Sequence, residues 1–362
     1  MRPKLLLAAL LASAVAWAEG PPVVKGHAQC LMIGAIGLKW EGVEGATGFV
    51  VYRSRDGQAW TKLAEVARSE YVDRHDLQPG ATHFYAVASR KEGKESEKAL
   101  IGMAANSANL VAGGDFEMDE PGATKPRCFA TMSNEDGRLR IVAGARPGGA
   151  GQRMLQVTGD ASAPIIRLHT RRYWIVPGAT CRVLAWCKAD EKGSAGLGGD
   201  ILTADGAKSK HMAVTYFQSK VIEEGPDGWG LRLGWHSAVP DDAATLQLWA
   251  LGWKTRGQGW FDDLQVIDER IADLARYDLP AALADVRDAL AAARGAEKLR
   301  ERAQHALAET EALARKVAEP GLGVDELLQA SWRLLQAQRR LEDARWDLKI
   351  MGLKSASGGQ GK

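Results

Sequence analysis

NLVAGGDFE at residues 109–117 and GWFDDLQV at 259–266 are the two stretches that decide how the middle of this 362-residue chain folds. Seven of the twelve tryptophans fall between them or within the second. The same span holds seven runs rich in β-branched and aromatic residues, separated by loops rich in Gly, Pro and Asp. Short runs of this composition between turn residues predict β-strands. The central region is therefore expected to be all-β.

The predicted strands are MLQVTG (154–159), APIIRLHT (163–170), RRYWIV (171–176), CRVLAWCK (181–188), HMAVTYF (211–217), LRLGWHSA (231–238) and TLQLWALGW (245–253), closed by WFDDLQV. The glycine-rich stretch at 193–199 follows no βαβ pattern, so it is predicted to be a loop and not a phosphate cradle.

These motifs resemble a known class of secreted module. The two end signatures, with VPDDA at 239–243, resemble the jelly-roll carbohydrate-binding modules of families 4, 9 and 22, and the resemblance spans about 106–268. It implies a galactose-binding-like β-sandwich that binds a polysaccharide or glycan.

A second resemblance covers residues 24–105. EGATGFVVYRSRDGQAWTKLAEV followed by LQPGATHFYAVAS resembles a bacterial fibronectin type III domain, with Trp40 and Tyr52 at its core aromatic positions. The tyrosine that closes the usual corner of that domain is replaced by His83, and Tyr85 lies two positions later. Alternation keeps both on one face, which predicts a structural variant of the corner.

From Arg270 the composition turns to Ala, Leu, Glu, Arg and Gln, which favours helix. Apolar residues at helical spacing predict three helices within 270–350, with Asp325 as a candidate N-cap and residues 351–362 as a tail. We expect an α-helical bundle or coiled-coil hairpin. Leucines at this spacing bury helices against one another, or they support a homo-oligomer or a docked partner.

The first eighteen residues predict a signal peptide, because Arg2 and Lys4 precede an apolar run that ends in Ala16-Trp17-Ala18. We expect a secreted protein, periplasmic or extracellular, without membrane insertion after cleavage. The formal charge is +2, and removal of Arg2 and Lys4 balances it. Such a balance gives no electrostatic reason to expect nucleic acid as a partner.

The four cysteines would then lie in an oxidising compartment. Cys181 and Cys187 lie in one predicted strand, roughly 20 Å apart, which is too far for a disulfide between them. Cys128 with either of them is the alternative, and buried free thiols are the other.

A glycan is bound in water by an aromatic ring stacked on its C–H face, with polar side chains at its hydroxyls. Alternation in TLQLWALGW sends Trp249 and Trp253 to one face, roughly 13 Å apart. Leu251 between them is also compatible with a core-facing side. Trp235 and Tyr216, in strands predicted to be neighbours, are further candidate contacts. Trp186 and Trp260 are predicted to be structural.

Many jelly-roll modules of this kind carry a structural calcium ion that ties the first strand to the last. The positions that match its carboxylate ligands are Glu117 and Asp262. A hard cation takes six to eight oxygens, so these two would form part of its shell. Otherwise both are ordinary carboxylates at turns or strand ends.

Enzymatic motifs do not emerge from the sequence. The adjacent pairs Asp241-Asp242, Asp262-Asp263 and Glu223-Glu224 would point to opposite sides of a strand, whereas a glycosidase needs two carboxyls that face each other. The leading hypothesis is a non-catalytic carbohydrate-binding protein. The alternatives are an envelope or adhesion scaffold that binds proteins, and a hydrolase acting on glycosyl bonds or its accessory component.

Overall fold

A computed structural model describes residues 25–133, 138–159, 165–210, 220–253, 257–293 and 297–357, without the side chains of 131–133, 165–167, 253 and 352–357. The described residues form β-sandwich sheets followed by helices, which agrees with the predicted fold class. The coiled-coil geometry stays a prediction. The predicted signal peptide at 1–18 lies outside the described residues.

Eight strands come first along the chain. They are β1 (Gly26–Met32), β2 (Ala35–Trp40), β3 (Gly48–Ser54), β4 (Thr61–Val66), β5 (Glu70–Asp73), β6 (Thr82–Lys91), β7 (Lys94–Glu95) and β8 (Ala99–Ala105). One sheet has the order β1-β2-β5, and another has the order β4-β3-β6-β7 with β8 also paired to β6.

Ten further strands form the region of the two signatures. They are β9 (Phe129–Ser133), β10 (Leu139–Ala143), β11 (Arg153–Thr158), β12 (Ile165–Trp174), β13 (Thr180–Ala189), β14 (Gly196–Leu202), β15 (Lys220–Glu224), β16 (Gly230–Ala238), β17 (Thr245–Trp253) and β18 (Gln258–Asp268). The six-stranded sheet has the order β10-β11-β18-β13-β16-β15, and the four-stranded sheet has the order β14-β17-β12-β9.

The two signatures lie side by side in the structure. The backbone N–H of Leu110 donates to the carbonyl of Val266 at 2.8 Å, and that of Leu264 donates to the carbonyl of Gly114 at 2.9 Å. A Cβ on Gly114 would stand 2.2 Å from the Leu264 carbonyl oxygen, so the glycine permits this close approach. The side chain of Asn109 accepts from the backbone N–H of Val266, which joins the segments again.

Two sequence predictions about strands are corrected here. From Ile165 to Trp174 the two predicted runs form one strand, β12, because a register shift between His169 and Arg172 lets pairing with β17 continue. The glycine-rich stretch predicted to be a loop is mostly strand β14, in which Leu197 and Ile201 are buried. Gly196 and Gly198 of this strand pair with Leu251 and Trp249 of β17, whose larger side chains fill the space that the glycines leave. The predicted strand HMAVTYF lies outside the described residues.

The chain divides into two compact units by its contacts. Unit 1 comprises the described residues up to Ala28, with Leu38–Tyr71 and His83–Met103. Unit 2 comprises Gln29–Gly37, Val72–Thr82 and the residues from Ala104 onward. The domain boundaries drawn from the sequence stay a prediction.

Unit 1 has an aromatic core. Trp40 packs edge-on against Phe49, with ring centroids 5.4 Å apart. Tyr52 forms a buried cluster with Val50 of β3 and with Ala86 and Ala88 of β6, and the partly buried Trp60 packs against this cluster. His83 and Tyr85 are both fully buried, with ring centroids 6.4 Å apart, as expected of a structural corner.

The helices lie in unit 2. They are α1 (Glu269–Arg276), α2 (Leu279–Ala292), α3 (Glu297–Ala318) and α4 (Val324–Ser357). Asp268 caps α1 by accepting from the backbone N–H of Arg270, and Asp278 caps α2 in the same way. Helix α1 was not expected from the sequence. Asp325, predicted as the N-cap, lies instead inside the first turn of α4, which begins at Val324; the positive N-terminal end of the helix dipole stabilises its charge there. Among the described helices, none combines the length and the apolar character that a bilayer crossing requires.

A buried apolar cluster in unit 2 joins helices to loops from the sheets. Its buried members are Leu31, Ala35, Val176, Ala179, Val317, Leu322, Val324, Leu327, Leu328, Ala330 and Leu334. They come from strands β1 and β2, the loop between β12 and β13, helices α3 and α4, and the connection between those two helices. Removing this apolar surface from water holds these segments together.

The guanidinium of Arg270 lies beside this cluster and is 1% exposed. It faces the Asp268 carboxylate at 2.7 Å and donates to the Leu31 carbonyl at 2.6 Å. It also donates to the Ser331 hydroxyl of α4. A buried cation needs such partners, so one side chain ties together β18, α1, α4 and the C-terminal part of β1.

The four cysteines are free and buried in the structure. The bridge considered between Cys128 and Cys181 or Cys187 is therefore not formed, and buried thiols are the alternative that holds. Burial raises the pKa of the Cys30 thiol to about 12, so little of it is the reactive thiolate at neutral pH.

We expect Arg270→Met to lower the free energy of unfolding by about 3–5 kcal/mol, because it leaves the buried Asp268 carboxylate without this cation. Urea unfolding followed by tryptophan fluorescence measures the change. The matched control is Arg339→Met, which removes an exposed ion pair with Asp273 and should cost about 0–1 kcal/mol. Equal effects of the two substitutions would contradict the role given to Arg270.

Candidate functional site

The four-stranded sheet has one face on which polar side chains from three strands meet. Residues directly opposite in an antiparallel pair lie on the same side of a sheet. Arg172, Gln247 and Asp200 are opposite one another across β12, β17 and β14, and we call them the polar row. The next row on this face holds His169, opposite Trp249.

The polar row reaches water. Arg172 is exposed, while Gln247 and Asp200 are partly exposed. The Gln247 amide nitrogen donates to the Thr170 carbonyl at 2.7 Å, and the Asp200 carboxylate lies 3.0 Å from the Lys208 ammonium. These contacts fix the positions of both side chains. The row therefore presents a cation, an amide and a carboxylate side by side.

Trp249 is 2% exposed and so is not the stacking surface that the sequence analysis predicted. Its ring centroid lies 5.1 Å from that of His169, and the Lys208 ammonium lies 5.9 Å from its centre. The core-facing alternative holds for this residue, because both faces of β17 carry buried side chains. Trp249 therefore lies beside the polar row on the same face, as a buried side chain.

The other predicted aromatic contacts do not join Trp249 in the described structure. Trp235 lies in β16 of the six-stranded sheet, opposite the buried Val183, so it belongs to a different sheet. It is partly exposed. Tyr216 and the side chain of Trp253 lie outside what the structure describes.

Glu117, one of the two predicted calcium ligands, is held by backbone donors. Its Oε1 accepts from the N–H groups of Gln152 and Arg153, at 2.6 and 2.8 Å. The Arg153 guanidinium also donates to the Glu117 carbonyl at 2.8 Å. Glu117 thus anchors the loop that leads into β11.

Asp262, the other predicted ligand, is 2% exposed and faces a cation of the chain itself. The Arg146 Nε lies 3.4 Å from its Oδ2, and the same guanidinium donates to Asp263 at 2.8 Å. Arg146 also lies over the Trp186 ring, 4.2 Å from its centre. Among the described residues, no group of three or more carboxylate, histidine or cysteine side chains could hold a metal ion. Each predicted ligand already has a partner within the chain, and the calcium ion at Glu117 and Asp262 stays a prediction.

Trp186 and Trp260, which the sequence analysis kept as structural, are partly exposed. Phe261 is fully buried, so the alternation along β18 turns Trp260 away from the core. Trp186 is opposite Asp262 across β13 and β18, and Lys188 is opposite Trp260. Both indoles therefore lie on the outer face of the six-stranded sheet.

No protein-family model matches the sequence, and no curated protein matches it. Solved structures do match. A fibronectin type III-like protein from Clostridium thermocellum is 22% identical, with 24% of this chain and 92% of that chain covered and a TM-score of 0.22.

Carbohydrate-binding modules are also among the matching structures. The C-terminal family 22 module from Clostridium thermocellum is 15% identical, with 36% of this chain and 83% of that chain covered and a TM-score of 0.26. A structure from a study of promiscuous carbohydrate-binding modules of the β-sandwich superfamily is 14% identical, with 68% of this chain and 100% of that chain covered and a TM-score of 0.26. The structural neighbours thus include both classes that the sequence motifs resemble.

We expect Trp249→Ala to lower the free energy of unfolding by about 3–5 kcal/mol, because it removes a buried aromatic side chain. Trp249→Phe should cost less, since it keeps an aromatic ring in the same space. Thermal or urea unfolding of both variants checks this. If Trp249→Ala unfolds like the unmodified protein, the ring is not part of the core.

Asp262 should make stability depend on pH. Burial raises its pKa to about 7, whereas the carboxyl of an unfolded chain titrates near 4. Between these values the unfolded chain releases a proton that the folded protein keeps, so the stability from this residue falls as pH rises. Asp262→Asn should flatten that fall by up to about 1.4 kcal/mol per pH unit.

Urea unfolding at intervals from about pH 4 to about pH 8 measures the slope for the unmodified protein and the variant. Asp241→Asn is the matched control, because Asp241 is exposed. An unchanged slope in Asp262→Asn would show that this carboxyl does not retain its proton in the folded state.

Proposed function

We propose that this chain is a non-catalytic carbohydrate-binding protein, and that a glycan lies on the outer face of the four-stranded sheet along the polar row. The observation that carries the proposal is the alignment of Arg172, Gln247 and Asp200 across three neighbouring strands, next to a buried indole on the same face. The carbohydrate-binding modules among the structural neighbours are consistent with it.

The chemistry of the row suits a neutral glycan. Sugar hydroxyls both donate and accept hydrogen bonds, and the row offers a donor in Arg172, an acceptor in Asp200 and both in the Gln247 amide. Neighbouring strands lie about 4.8 Å apart, so the three side chains span roughly 10 Å. That length matches a short run of sugar units. The row carries charges of both signs, with Asp200 paired to Lys208, so it is not a site of a single charge sign.

We also propose that the protein is exported, on the strength of the predicted signal peptide, and that the N-terminal sandwich serves as a spacer. The helical part offers a surface for a partner or a second copy. Trp346 and Ile350 are 63% and 47% exposed and lie one turn apart on α4. Several copies held together would convert weak single-site binding into useful retention. This exposed pair also favours the second candidate function, a scaffold that binds proteins.

Affinity electrophoresis of the purified chain in gels containing neutral polysaccharides tests the proposal. We expect at least one polymer to retard the protein, and Asp200→Ala and Gln247→Ala to weaken that retardation on the order of tenfold, because each removes a hydrogen bond to the sugar. The matched control is Gln304→Ala, an exposed position on α3, which should bind like the unmodified protein.

Three results would contradict the proposal. Retardation that is equal in Gln247→Ala and Gln304→Ala would place the site elsewhere. Release of reducing sugar from a retained polymer would identify a hydrolase. Absence of retardation in every polymer, together with self-association that Trp346→Ala abolishes, would favour the scaffold.

A further inference from the structure

The outer face of the six-stranded sheet carries a second row of side chains, which is independent of the polar row. Arg140, Gln156, Trp260 and Lys188 are directly opposite one another, in that order, across β10, β11, β18 and β13. Because neighbouring strands are about 4.8 Å apart, the row is roughly 14 Å long. We call these four residues, with the adjacent Gln258, the cationic row.

The hydrogen bonds within the cationic row fix which way its amides point. Arg140 Nε donates to the Gln156 Oε1 at 2.7 Å, and the Gln156 Nε2 donates to the Gln258 Oε1 at 2.9 Å. A guanidinium can only donate, so the Gln156 oxygen must face Arg140, and its nitrogen must then face Gln258. The amide nitrogen of Gln258 is left at the free end of this chain as a donor.

The remaining polar groups of the row are donors as well. The Lys188 ammonium lies 5.8 Å from the centre of the Trp260 ring, and the indole N–H can donate but not accept. Among the described residues, no carboxylate lies within 4.0 Å of the Arg140 or Lys188 charge. The Asp190 carboxylate near one end accepts from the backbone N–H groups of Gln258 and Lys192.

A surface of donors and positive charge around a partly exposed indole suits a ligand with acceptors, negative charge and a flat apolar face. A uronic acid unit of a polysaccharide has all three. Its ring can stack on an indole, as sugars do, and its carboxylate forms charge-assisted hydrogen bonds with guanidinium or ammonium groups. A neutral sugar would offer neither of these cations a carboxylate.

We propose that the cationic row is a second glycan-binding site, specific for acidic polysaccharides. Trp260 supplies the stacking surface, Lys188 and Arg140 bind carboxylates on either side of it, and Gln258 donates to a hydroxyl or carboxylate. In binding, the Lys188 side chain moves from above the indole to the edge of the sugar. The two faces of the sandwich then hold different classes of glycan.

The test is affinity electrophoresis of the full chain in gels containing polygalacturonate, with carboxyl-reduced polygalacturonate as the matched neutral polymer. We expect retardation by the acidic polymer alone, and a dissociation constant that rises with ionic strength. Lys188→Glu and Arg140→Glu should each weaken binding to polygalacturonate on the order of tenfold or more. Gln258→Glu should also weaken it, because a donor becomes a negatively charged acceptor.

Lys94→Glu is the control for net charge, because Lys94 is exposed in unit 1 and the substitution changes the charge equally. It should leave the retardation by polygalacturonate unchanged. Trp260→Phe should keep most of the binding and Trp260→Ala should lose it, with the thermal midpoint of each variant measured to separate loss of binding from unfolding.

Several results would overturn the second site. An equal loss of polygalacturonate binding in Lys94→Glu and Lys188→Glu would mean that only net charge attracts the polymer. Equal retardation by the acidic and the carboxyl-reduced polymer would exclude specificity for a uronate, and no retardation by polygalacturonate would exclude the site. Loss of polygalacturonate binding in Gln247→Ala would place both activities on the four-stranded sheet. If the polar row fails to bind neutral glycans but Lys188→Glu still abolishes acidic binding, the second site stands without the first.

Discussion

The buried guanidinium of Arg270 is the contact on which the arrangement of unit 2 depends. Its charge is stable away from water only while the Asp268 carboxylate, the Leu31 carbonyl and the Ser331 hydroxyl all remain in place. These partners come from separate parts of the chain, so satisfying one cation fixes several segments at once. Asp268 ends β18 and also caps α1, which links the sheet to the helices.

Because β18 is fixed at its C-terminal end, the two faces of the six-stranded sheet are fixed as well. The strand lies between β11 and β13, and its alternation buries Phe261 while it presents Trp260. A slip of one residue would exchange these two aromatic side chains. The N-terminal signature opposes such a slip, since Asn109 accepts from the backbone N–H of Val266 and Gly114 allows the contact with Leu264.

The sequence pattern predicted most of the strands and the helical region, because alternation and helical spacing depend only on residues close together in the chain. It did not predict which strands are neighbours. Trp249 and Trp235 looked like parts of one surface, yet they belong to different sheets. The polar row could not be found from sequence, since it depends on register across three strands. Trp260 could have been found, because a buried Phe261 beside it implies an outward indole.

Hydrogen–deuterium exchange of the full chain, with and without a retained neutral polysaccharide, tests the central claim most directly. If the glycan lies along the polar row, exchange of backbone amides should slow in β14 and β17 and stay unchanged in the helices. Protection confined to the helices or to unit 1, or no protection between residues 196 and 253 at saturating glycan, would contradict the account.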